Sequence, residues 1–112
     1  MSDKISFLAP FFRTFPDNRI VLSKLDDDGV EAVTCTVAGQ DELEKGDVIE
    51  LLLGGWRSDE HTVSLTGYPQ SISVPVVILK RYRDRKVDVM YYVRRNGQPR
   101  GISATLVIEI VS

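Results

Sequence analysis

The chain has a single cysteine, a single histidine and a single tryptophan, and each scarcity closes off a class of chemistry. With Cys35 alone, no disulfide forms within the chain. Cys35 and His61 together fall short of the three or four soft ligands a zinc ion needs. Glycine-rich phosphate loops, the strained serine elbow of hydrolases and the helical metalloprotease motif are all missing. No apolar run reaches the roughly 18 residues of a membrane-spanning helix, so membrane insertion is not expected. The opening Met1-Ser2-Asp3-Lys4 leads into no sustained apolar stretch, and no signal peptide is predicted. A basic surplus is absent too: the net charge of -2 argues against nucleic acid as the main partner.

What remains is ordinary for a soluble globular domain, with 27% charged and 43% hydrophobic residues. The 112 residues make one domain, 1–112, large enough to bury a core without metal or multiple disulfides. The charge is unevenly spread. Residues 1–60 carry 13 acidic against 6 basic side chains, and residues 61–112 carry 3 against 8. One reading gathers Lys80, Arg81, Arg83, Arg85, Lys86, Arg94, Arg95 and Arg100 into a basic patch for phosphate, a heparin-like glycan or an acidic neighbour. The other interleaves strands from the two halves, so that acids and bases meet as surface pairs.

Turn signals recur at short intervals, the rhythm of a β-sandwich. Residues 1–18, punctuated by Pro10 and Pro16, read as an extended edge segment, where missing amide donors do least harm. Arg19 to Leu22 is a short strand stopped by Asp26-Asp27-Asp28-Gly29. Val30 to Val37 is the next, with Val33, Cys35 and Val37 on one face. Asp47 to Leu53 is apolar on both faces and reads as central. His61 to Thr66 and Ser71 to Val74 alternate as strands, and Pro75 to Arg83 reads as a turn of helix bridging two sheets. Val87 to Val93 and Leu106 to Val111 form a hairpin across a loop containing Asn96-Gly97, residues that accept the positive φ of a tight turn. The fold class is therefore all-β, an immunoglobulin-like antiparallel β-sandwich of about seven strands.

The order Leu8-Ala9-Pro10, Gly46-Asp47-Val48-Ile49-Glu50-Leu51, Ile72-Ser73-Val74-Pro75, Val87-x-Val89-x-Tyr91-x-Val93 and Ser103-x-Thr105-Leu106-x-Ile108 resembles bacterial immunoglobulin-like repeat modules. Such modules occur in large surface and adhesin-like proteins of pseudomonads and their relatives. The resemblance spans residues 8–111. It implies an extracellular or cell-surface setting and a role in adhesion or spacing. The chain departs from the pattern at Leu52 and Leu53, where such modules often carry aromatics.

Candidate sites follow from residue type. Trp56, with Arg57, Asp59 and Glu60, could stack a sugar ring; alternatively Trp56 covers one end of the core. With Tyr68, Arg81, Arg83, Arg94 and Arg95, these two lead residues, Trp56 and Arg57, make up the expected contact surface. Asp26, Asp27 and Asp28 are the candidates for calcium, with Asp3 or Glu31 as further oxygens, although the alternating spacing of an EF-hand is absent. No other cofactor is indicated. Asp47 and Glu50 lie three apart on a strand and face opposite sides, which keeps them from acting as an acid–base pair. Tyr91 suits the structural tyrosine of such sandwiches, its hydroxyl bonded to backbone. The expected function is a non-enzymatic module for adhesion, spacing or protein interaction, with a protein or glycan partner and self-pairing through an edge strand as one route. A small carbohydrate-binding module and an accessory subunit of a secreted toxin assembly are the alternatives.

Overall fold

The structure, a computed structural model, describes residues 5–112. Ten strands and two short helices follow in chain order: β1 (Ile5–Phe7), β2 (Arg19–Val21), α1 (Leu22–Asp27), β3 (Ala32–Val37), β4 (Val48–Leu53), β5 (Trp56–Arg57), β6 (His61–Thr62), β7 (Gln70–Pro75), α2 (Val76–Lys80), β8 (Arg85–Arg95), β9 (Gln98–Ser103) and β10 (Leu106–Val111).

Strand β8 organises the larger sheet. One edge pairs antiparallel with β4, from Leu53↔Val89 to Val48↔Arg94. The other edge is shared: β10 takes the first half of β8 and β9 the second. β5 and β6 pair with the far side of β4, while β1 and β2 join β9 and β10 in parallel at the margins. β3 and β7 form a separate antiparallel pair. The period-2 geometry of strands sends alternate side chains to one face. Ile49, Leu51 and Leu53 of β4 and Val87, Val89, Tyr91 and Val93 of β8 therefore meet Val33, Cys35 and Val37 of β3 and Ile72 and Val74 of β7 in one core. The two helices close that core with Leu22, Leu25, Val76, Ile78 and Leu79. The expected all-β sandwich is what is found, with a mixed larger sheet because β1 and β2 run parallel to their neighbours.

Several local expectations hold. β4 is central, flanked on both sides. α2 is the bridging turn, leaving β7 in the small sheet and delivering the chain to β8 in the large one. Tyr91 is fully buried and donates its hydroxyl to the Leu8 carbonyl at 2.6 Å, while Gln40 Nε2 donates to the same hydroxyl at 3.0 Å. The Leu8 amide closes the triangle on Gln40 Oε1, tying the N-terminal segment to the sheet.

Others need correction. The loop after β8 is only two residues long: Arg95 faces Gln98 across Asn96 and Gly97, whose φ values of 52° and 75° make a primed turn. The direct partner of the end of β8 is thus β9, and Leu106–Val111 pairs further back. Pro99 and Gly101 hide β9 in the sequence, and Pro99 is tolerated at the register shift between Val93 and Arg94. Strand β2 stops at Val21 and is followed by helix α1, because Leu22 and Leu25 at helical spacing both reach the core. Gly29, at φ 67°, ends that helix. Of the expected His61–Thr66 strand, His61 and Thr62 pair with β4 and Val63 bonds to Gly46 and Asp47 just before it, and the strand ends there.

Candidate functional site

The two halves of the chain, acidic and basic, meet around the β4–β8 pairing and again between the two helices. Arg94 bonds Glu60 at 3.2 Å, Lys80 meets Asp26 at 3.0 Å, and Arg95 binds both Asp47 and Glu44. The basic residues therefore do not form one patch, and three of the eight, Lys80, Arg94 and Arg95, pair with acids from the first half among the described residues.

Arg95 has a structural task. Its Nε and Nη2 reach the two carboxylate oxygens of buried Asp47 at 2.8 and 3.0 Å, and Nη2 also touches the Glu42 carbonyl. The Glu44 amide donates to Asp47 Oδ2. Burial works to raise the Asp47 pKa but is outweighed by the Arg95 and Glu44 hydrogen bonds and the charges of Arg95 and Arg100, which hold it below its usual 3.8. This bidentate clamp fastens the 40–47 connection to the end of β8.

The outer face of the larger sheet carries a different arrangement. Arg57 of β5, Arg94 of β8 and Arg100 of β9 line one groove of about 310 Å³, with Tyr92, Pro99 and Ile102 beside them. Tyr92 stands opposite Glu50 on one side and Ile102 on the other. The register shift at Val93/Arg94 makes Arg100 the extra residue of a bulge, a device that re-aims a side chain. Arg57 Nη2 and Arg94 Nη2 approach Glu50 Oε1 at 3.2 and 3.8 Å. Even so, two buried side-chain polar atoms have no hydrogen-bond partner among the described residues: Glu50 Oε1 and Arg100 Nε. Both belong to this face. Buried polar atoms are nearly always paired, so a donor and an acceptor left open together mark the place chemically.

The expected contact residues separate. Arg57 and Arg94 share the groove, and Arg95 is diverted to the clamp. Arg81 and Arg83 are exposed in the turn before β8, whose first residue, Arg85, lies about 30 Å along the strand from Arg94 at 3.3 Å per residue. Trp56 is partly buried and packs against the core, the covering role. Tyr68 is 59% exposed in the connection before β7 and lies outside the groove. Asp26 and Asp27 fall in α1 and Asp28 caps it, so successive carboxylates splay around a helix instead of converging. Asp3 lies outside the described residues, and among the described residues no three His, Cys, Asp or Glu side chains gather as a metal site. Cys35 is fully buried, and burial pushes its thiol up to about 12, the state of an inert core residue. Glu50 and Ile102 were not among the expected contact residues, and Arg100 was named only within the basic run. The outward position of Glu50 was visible, but its meeting with Arg57 and Arg94 depends on strand register.

Comparison with family models, curated proteins and solved structures returns no match. Fold and site therefore define the class directly: an all-β sandwich with an arginine-lined groove on the outer face of its larger sheet.

Proposed function

We propose that this chain is a non-enzymatic module for adhesion or protein interaction, and that its contact surface is the groove of Arg57, Arg94 and Arg100. The observation that carries the reading is the convergence of three guanidinium groups from three strands on one apolar-walled depression, in a chain whose net charge is negative. Guanidinium forks match carboxylates and related oxyanions, and they are less strongly hydrated than ammonium groups. A rigid sheet presents them at fixed spacing, as a binding site requires. Burial of Cys35, which pushes its thiol up to about 12, fits a core residue better than a nucleophile.

A carbohydrate-binding reading is favoured by Tyr92, Pro99 and Ile102, which give the groove an apolar wall, rather than by Trp56. Retention on immobilised heparin tests the general proposal. The wild type is expected to elute later than Arg94→Gln/Arg100→Gln, while Arg81→Gln/Arg83→Gln elutes with the wild type. Equal retention of the groove variant, or loss of retention only in the Arg81/Arg83 variant, rejects it.

A further inference from the structure

We propose that the groove is a subsite for an acidic sugar unit, one ring bearing both a carboxylate and free hydroxyls; this rests on the reading of the groove as the contact surface. Two atoms state the requirement. Arg100 Nε is a buried donor with no acceptor among the described residues, and Glu50 Oε1, though ion-paired with Arg57 at 3.2 Å, takes no well-aligned hydrogen bond. A simple anion satisfies only the first. A sugar acid satisfies both, its carboxylate accepting from Arg100 and Arg94 and a ring hydroxyl donating to Glu50.

The walls suit the rest of the ring. Tyr92 and Ile102 stand opposite one another on β8 and β9, and Ile102 is 42% exposed, leaving an apolar surface for the C–H face of a pyranose. The volume, about 310 Å³, lies at the small end of ligand sites (about 300–1,000 Å³) and suits a compact ligand. Arg57 is the movable element. Its side chain is 57% exposed while Glu50 is only 15% exposed, so Arg57 covers the carboxylate and swings aside as the hydroxyl arrives.

An acidic peptide is the competing occupant, and the position of the groove disfavours it. Extended peptides gain affinity by hydrogen-bonding to an open strand edge. Here β8, which runs through the groove, is paired along both edges and β1 covers β9 from Gly101 to Ser103, which leaves the two-residue β5 and the Gln98–Arg100 end of β9 as short edges among the described residues. The groove lies on a sheet face, where only side chains read the ligand.

Calorimetric titration with trigalacturonic acid, its full methyl ester and pentaglutamate tests the proposal. Trigalacturonate is expected to bind saturably, with the ester and pentaglutamate at least about tenfold weaker, a difference of roughly 1.4 kcal/mol. Arg94→Gln and Arg100→Gln are expected to lose about tenfold or more. Arg100→Lys, which keeps the charge but not the fork, is expected to recover only part of the loss. Unchanged melting temperatures in these variants separate binding from folding. Pentaglutamate binding the groove more tightly than the sugar overturns the sugar assignment and leaves the contact surface standing. Sugar binding indifferent to all three substitutions overturns the assignment too, and no binding of any probe overturns both.

Discussion

Tyr91 shows how one residue holds distant parts of the chain. Its hydroxyl is buried and receives from Gln40 while giving to Leu8, so removing the oxygen takes the partner from the Leu8 carbonyl and from one N–H of Gln40, whose amide still donates to the Ala38 carbonyl. Tyr91→Phe is expected to cost about 1–3 kcal/mol in urea unfolding, the cost of stranding a buried polar group. Burial, eased by the Gln40 hydrogen bond and reinforced by nearby Cys35, lifts the tyrosine pKa to about 12; burial alone lifts that of Cys35 to about 12. The folded chain therefore keeps two protons that the unfolded chain releases from about pH 9 upward. Their contribution is complete below pH 9 and is lost as pH rises to 12, an expected decline in melting temperature that Tyr91→Phe shallows. Asp47 has the opposite sign. Its folded pKa lies below 3.8, so its contribution is present above that value and fades as pH falls through the lower folded one. Asp47→Asn, which unpairs Arg95, is expected to cost about 1–3 kcal/mol at pH 7 and to flatten the acid limb of stability.

At the scale of elements, the turn between β8 and β9 sets the register on which the groove depends. Asn96 and Gly97 both lie in the left-handed region, where a β-branched side chain is strained. Gly97→Val is expected to lower stability by roughly 1–2 kcal/mol in a denaturant melt and to broaden the NMR signals of Arg94 and Arg100. Long elements were legible because burial dictates them: β8 puts every second residue inside and its sequence alternates accordingly, while the apolar run of β4 marks a central strand. Short elements were less so. Helix α1 is announced only by Leu22 and Leu25, too few for a period to stand out. β9 carries Pro99 and Gly101, residues that weaken a strand and here sit at a bulge. The Asn96-Gly97 turn was seen, but the strand that follows it was not.

For the molecule as a whole, the site was the least legible part. Glu50, Arg57, Arg94 and Arg100 are spread over half the chain, and they meet because β4 pairs with β8 at Glu50↔Tyr92 while a bulge turns Arg100 to the same face. No local pattern encodes that register. The uneven charge of the two halves was visible, but not that Lys80, Arg94 and Arg95 would meet first-half acids while Arg100 joins Arg57 and Arg94 in the groove, far from Arg81 and Arg83. The measurement that tests this account most directly is two-dimensional NMR of the ¹⁵N-labelled chain during addition of trigalacturonate. Saturable shifts confined to Arg57, Tyr92 to Arg94 and Arg100 to Ile102 are the predicted result. Shifts centred on Arg81, Arg83 or Tyr68, or a diffuse response that never saturates, would contradict it.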